Sequence, residues 1–96
     1  MALLQVTVLP LGTGTPSVSR FVTDAIQVVK ASGVTYQITP MSTCLEGPLE
    51  EIMQVALQMH QACFSGEVQR VVTNMTLDER RDKEATLQSK IAAVNH

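Results

Sequence analysis

Apolar and polar residues alternate from the start of the chain. Leu4, Val6 and Val8 point one way and Gln5 and Thr7 the other, the pattern of a strand over residues 2–9 with one face on a core. The spacing then changes. Val18, Phe21, Val22, Ala25, Ile26 and Val29 recur as one face of a helix over residues 17–32. Ser17 is a good N-cap for it, and Thr15 followed by Pro16 is an equally lawful start. Gly33 stands where a helix C-terminus favours positive φ. Alternation returns over 34–39, with Val34, Tyr36 and Ile38 on one side. Residues 40–47 read as a turn and a short strand closed by Gly47. A second helix begins at Pro48, where Glu50 and Glu51 complement the positive end of its dipole. Its apolar stripe is Leu49, Ile52, Met53, Ala56, Met59, His60 and Cys63, and Gly66 ends it. Residues 68–77 form the last strand, "DERRDK" (78–83) a charged turn, and 84–94 a short final helix through Leu87, Ile91 and Val94.

The element order is thus β-α-β-β-α-β with an additional C-terminal helix. Two βαβ units sharing a four-stranded antiparallel sheet predict an α+β, ferredoxin-like sandwich. At 96 residues the chain is expected to be a single domain over 1–96. A domain of that size buries roughly 60–65% of the surface its unfolded chain exposes, so it folds alone with little stability to spare.

Giving the apolar side of each strand to the helices leaves Gln5 and Thr7, then Thr35, Gln37 and Thr39, then Val72, Asn74 and Thr76. Only Arg70 is charged in that set. A solvated antiparallel face would usually carry Lys, Glu and Arg. A polar but uncharged face can be covered without desolvating ions, which predicts that this face packs against a second subunit. The plainer alternative is a solvated face rich in Thr for its strand propensity.

Charge and composition remove several classes. Net charge is −2 and the Lys and Arg residues form no stripe, which argues against a nucleic-acid partner. The opening "MALLQVTVL" is too short for a membrane segment and lacks the basic residues that precede a secretory core, and no later apolar run approaches about 18 residues. The expected location is cytoplasmic, without membrane association. Cys44 and Cys63 are far apart with no C-x-x-C, and neither His60 nor His96 has an evident partner. Two reduced thiols in or near the core, a helix-face His60 and no metal site are expected. No Ser-His-Asp, Cys-His or carboxylate pair can be traced, so no catalytic residue is assigned.

Three loops hold candidate chemistry. "LPLGTGTPSVSR" (9–20) places a Gly-x-Gly turn between strand and helix, the setting of many phosphate cradles. A dinucleotide fingerprint would need its third glycine at 17, which is Ser17, and a Walker loop would need Gly-Lys-Ser/Thr where Ser17, Val18 and Ser19 stand. Both motifs fail. The loop is either a turn with a cap or a place where hydroxyls near a helix N-terminus hold a polar ligand. "PMSTCLEG" (40–47) brings Met41, Ser42, Thr43 and Glu46 together at a sheet edge. Glu46 could accept hydrogen bonds from a ligand N–H while the hydroxyls orient it; otherwise this is a β-turn with a solvated carboxylate. In "DERRDK", Asp78 and Arg80 either line a pocket or bridge subunits, or belong to a solvated turn.

"LPLG" (9–12), "SVS" (17–19), "PMST-x-x-EG" (40–47) and "D-x-R-x-D-K" (78–83), in register over nearly the whole chain, resemble the small thiamine-binding protein family. The resemblance implies a ferredoxin-like fold and association through open sheet faces into a homodimer or homotetramer. It also implies non-catalytic binding of thiamine or its hydroxymethylpyrimidine half as ligand, with no cofactor. The family's Met-Gly-Thr is here Met41-Ser42-Thr43. By resemblance, Thr43 and Glu46 face the aminopyrimidine, Met41 gives soft apolar contact, Ser17 and Ser19 meet a polar end of the ligand, and Asp78 and Arg80 stand further out. Two rivals share the fold order. One is an ACT-like regulatory domain, usually fused to an enzyme, using "LGTGTPS" at an interface. The other is a dimeric α/β-barrel enzyme, whose inward residues here would be Gln5, Thr7, Gln37 and Asn74, none titrating near neutral pH.

Overall fold

The structure, a computed structural model, describes residues 1–11, 19–64 and 68–82 together with Leu87. The expected elements appear in the expected order: β1 (Ala2–Leu11), α1 (Ser19–Ser32), β2 (Thr35–Ile38), β3 (Thr43–Gly47), α2 (Leu49–Ala62) and β4 (Arg70–Glu79). The glycine loop with Ser17, the Gly66 stop and the final helix lie outside the described residues, Leu87 apart. The four strands form one sheet in the order β2-β3-β1-β4, with every neighbouring pair antiparallel. Each helix therefore carries the chain across one intervening strand, and β1 and β3 become the central pair.

Alternation along the strands decides which side the helices cover. Leu4 of β1 lies opposite Leu45 of β3, and Val6 lies opposite Thr43. These side chains form the core with Ala25 and Val29 of α1 and Ile52, Val55, Ala56 and Met59 of α2. Leu4, Val6, Val29, Leu45, Ile52 and Cys63 are fully buried. The stripe of α2 is rotated from the sequence expectation: Val55 is buried, whereas Met53 is partly exposed. Residues 52, 55, 56, 59 and 63 keep the i, i+3, i+4 progression, and Met53 falls one side of it, over β4. Gly33 takes φ 81° directly after α1, as a helix terminator should. Pro48 precedes α2 and its carbonyl accepts the first helical hydrogen bond, from Ile52 N–H at 3.1 Å.

Two expectations are corrected by strand position. Tyr36 and Ile38 do face the helix side, but β2 is the short outer strand, and both side chains stay exposed at 38% and 42%. The open face is also less uncharged than expected. Its rows place Thr35, Glu46, Leu3 and Asp78 side by side, then Gln37, Cys44, Gln5 and Thr76. Thr7 then lies beside Asn74, and Leu9 beside Val72. Arg70 ends the face opposite Leu11. The centre is uncharged, with two carboxylates at one end and one guanidinium at the other. Glu46 was missed because its strand parity depends on where β3 begins. Thr39 leaves the open face altogether and belongs to the β2–β3 turn.

Candidate functional site

β1 pairs with β4 along its whole length but with β3 only as far as Val6. Beyond Val6 it therefore runs on with one flank unpaired, which is where a strand tolerates a proline such as Pro10. The β2–β3 turn fills part of that flank. Thr39 organises it: its N–H donates to the Ser42 carbonyl at 2.8 Å, and its hydroxyl donates to the same carbonyl at 3.0 Å. That hydroxyl also accepts from Met41 N–H (3.2 Å) and Ser42 N–H (3.0 Å). Such a side-chain-locked turn needs a short hydroxyl or carboxamide at its first position. Thr7 Oγ1 donates to the Met41 carbonyl at 3.4 Å and ties the turn to β1.

Between this turn, β1 and the underside of α1 lies a cleft of about 200 Å³. Val6, Val8, Ala25, Ile26, Ile38 and Met59 supply its apolar wall, and Thr7, Thr39, Ser42 and Thr43 bring hydroxyls to a lip that Pro40 and Met41 complete. Among the described residues no charged side chain lines it. Thr43 is 93% buried there (7% exposed), and its hydroxyl makes no hydrogen bond to another described residue. The hydroxyl that Thr43 brings to the cleft lining can donate one hydrogen bond and accept others. Met41 is 81% exposed at the lip, a soft side chain free to fold over an occupant.

The structure thus brings Met41, Ser42 and Thr43 together. It does not bring Glu46 to them. Thr43 and Glu46 are three residues apart in one strand, so they face opposite sides of the sheet. Glu46 Oε1 instead accepts a hydrogen bond from the Leu87 N–H at 3.3 Å, holding a distant part of the chain against the open face. Leu3, beside Glu46 in register, is buried although it too faces that side. Asp78 occupies the same row on β4. Arg80, past the end of β4, makes a two-pronged ion pair with Asp82 at 3.0 and 2.6 Å on the exposed surface. Ser19 is the first residue of α1 as described, and Ser17 lies outside the described residues.

Two further features escaped sequence reasoning. His60 has a partner: its Nδ1 lies 2.6 Å from Thr73 Oγ1 on β4, and its ring meets Phe64 edge-on at 5.4 Å. The signal was present, since Thr73 shares the helix-facing parity of β4, but no local rule pairs positions 13 apart. Thr39 was the other omission. Its role follows from turn geometry, which becomes visible only once β2 is known to stop at Ile38. Cys63 is buried, and burial followed by the nearby Asp24 charge pushes its thiol pKa up. Cys44 is half-buried on the open face. Among the described residues no cluster of three or more His, Cys, Asp or Glu is placed to hold a metal, and no helix is long and apolar enough to cross a membrane.

The sequence profile of the family described as thiamine-binding protein matches residues 4–95. The chain belongs to that family. It is 46% identical to the UPF0045 protein YqgV of Bacillus subtilis over 99% of this chain and 95% of the relative. The solved structure of hypothetical protein MJ1052 from Methanocaldococcus jannaschii superposes with a TM-score of 0.89 at 36% identity, covering 98% of this chain and 95% of that one. A Thermotoga maritima structure, provisionally assigned to thiamine biosynthesis or salvage, superposes with a TM-score of 0.81 and covers 97% of both chains. At 21% identity it speaks to the fold alone.

Proposed function

We propose that this member of the thiamine-binding protein family holds thiamine, or its hydroxymethylpyrimidine half, in the cleft beneath the β2–β3 turn, without catalysing a reaction. The observation that carries the reading is Thr43, a buried residue whose hydroxyl has no partner among the described residues, in a cleft that no charged side chain among them lines. An aminopyrimidine suits such a place: its flat ring needs apolar walls, and its amino group and ring nitrogens need neutral donors and acceptors. At about 200 Å³ the cleft is smaller than the roughly 300 Å³ at which pockets begin to enclose whole drug-sized ligands. It therefore takes the pyrimidine ring, with Thr43 and Ser42 on its polar edge and Met41 over its face. The remainder of thiamine leads outward, and by the family resemblance Ser17 and Ser19 meet its polar end. Asp78, on the opposite face, and Arg80, beyond the end of β4, stand apart from this ligand, and Glu46 serves the chain rather than the pyrimidine.

The finer architectural readings belong here as well. The strand order is the one a ferredoxin-like sandwich has, and Leu87, assigned as helical, supports a C-terminal helix over the Glu46 end of the open face. The uncharged centre of that face, with Gln5, Thr7, Gln37 and Asn74, is read as a contact between subunits in the cytoplasm. The same residues are the inward set of the barrel-enzyme alternative, and none of them is a competent acid or base near neutral pH.

Isothermal titration with thiamine and with hydroxymethylpyrimidine tests the assignment on wild type, Thr43→Val and Glu46→Gln. Micromolar or tighter binding is expected, weakened about tenfold or more by Thr43→Val and little changed by Glu46→Gln. The reverse pattern moves the ligand to the open face. No heat with either compound on the folded wild type overturns the reading.

A further inference from the structure

The hydroxyls around the cleft under the β2–β3 turn can be accounted for one by one. Thr7 Oγ1 gives its proton to the Met41 carbonyl. Thr39 Oγ1 is fully used: it donates to the Ser42 carbonyl and accepts from the N–H groups of Met41 and Ser42, which takes up its one proton and both lone pairs. Ser42 Oγ comes no closer to it than 3.5 Å, the outer limit of a hydrogen bond, and finds neither a proton nor a lone pair to spare. Two hydroxyls of the lining are left over, those of Ser42 and Thr43, with no further partner among the described residues. Among those residues the lining holds no carboxylate, ammonium, imidazole or carboxamide. Every polar side chain in it is a hydroxyl.

We infer that the cleft selects a six-membered nitrogen heterocycle by its outline and accepts it whether the edge it presents is amino or oxo. This rests on the placement of the pyrimidine proposed above and widens the class of ligand that the same site takes. A 4-aminopyrimidine presents an N–H donor beside a ring nitrogen that accepts. Its 4-oxo counterpart presents a carbonyl that accepts beside a ring N–H that donates. A side chain of fixed polarity tells the two apart, because a carboxylate only accepts and an ammonium only donates. A hydroxyl turns about its C–O bond and does either. Buried sites reject an analogue by leaving one of their own polar groups unpaired. Ser42 and Thr43 exchange the roles of donor and acceptor between the two rings, so neither ring leaves a group unpaired. Glu46, the nearby carboxylate that would have read the amino group, faces the other side of the sheet and is engaged with the Leu87 N–H. The apolar wall then sets the limits, and it reads shape.

Isothermal titration of the full chain with thiamine and with oxythiamine tests this. Oxythiamine carries a carbonyl where thiamine has its amino group and keeps the thiazolium charge, so only the hydrogen-bonding pattern of the ring changes. The two affinities are expected to lie within about fivefold of each other. Thr43→Val should weaken both compounds by the same factor. Ser42→Asp sets a fixed acceptor at the lip and should create a preference for thiamine of about tenfold or more. Thermal melts establish that each variant is folded, and should Ser42→Asp fail to fold, Thr43→Val decides alone. Tight thiamine binding with oxythiamine more than about fivefold weaker on the wild type overturns the inference and leaves the ring's placement standing. A wild type that binds neither compound overturns the placement and the inference together. Unequal losses on Thr43→Val, or a folded Ser42→Asp without preference, overturn the part given to these two hydroxyls.

Discussion

Thr43, Gly33 and Cys63 show how much can rest on one atom or one torsion. Thr43→Val removes a hydroxyl that has no partner among the described residues while keeping the shape, so the unliganded protein should hold its stability as it loses ligand affinity. Thermal melts with and without thiamine check both signs on one sample: the variant should melt no lower than wild type alone, and should gain less from ligand. Gly33 has open space where a Cβ would stand, yet φ is +81°. Gly33→Ala should therefore cost about 1 kcal/mol through backbone strain alone, measurable as a shifted urea midpoint with an unchanged slope. Cys63 is protonated and shielded, so alkylation of the native protein near pH 8 should modify Cys44 well before Cys63. The raised thiol pKa also fixes a sign. The unfolded chain loses this proton first as pH rises, so the contribution is whole below the ordinary thiol range and declines above it. Comparison of wild type with Cys63→Ala in denaturant at neutral and alkaline pH should show the steeper alkaline loss in wild type.

Packing between elements is tightest where β3 hands the chain to α2. A Cβ on Gly47 would stand 3.3 Å from Ile52 Cγ2, closer than ordinary contact, and both residues are buried. Gly47→Ala should cost about 1–3 kcal/mol as overpacking. Ile52→Leu removes the Cγ2 branch at nearly constant volume and by itself should cost less than about 1.5 kcal/mol. The pair should cost less than the sum, because the second change makes room for the first; additive losses in a double-mutant cycle would show that the strain lies elsewhere. Sequence periodicity reached every described element here because each presents an apolar face of constant period. Leu4, Val6 and Val8 announce β1 as plainly as Ala25 and Val29 announce α1. Periodicity could not say how far each face is covered. Tyr36 and Ile38 have the parity of core residues and the exposure of edge residues, since strand order, not alternation, decides which strand is outermost. The site divided along the same line. Met41, Ser42 and Thr43 could be grouped from their adjacency, whereas Glu46 needed the register of β3 to reveal that it faces away. His60 and Thr73 could be joined only through the packing of α2 on β4.

For the whole molecule, the uncharged centre of the open face, read above as a contact between subunits, can be given a charge without touching the cleft. Gln5 lies there between Cys44 and Thr76 and is not among the residues that line the cleft. Gln5→Lys should therefore reduce the assembly to smaller species in sedimentation equilibrium, because a charge buried without a partner opposes the contact. A contact between neutral faces should also change little as ionic strength rises. If the dissociated variant keeps its thiamine affinity, the cleft under the β2–β3 turn is complete within one chain. If affinity falls with assembly, part of the ligand's surface is supplied by a neighbour.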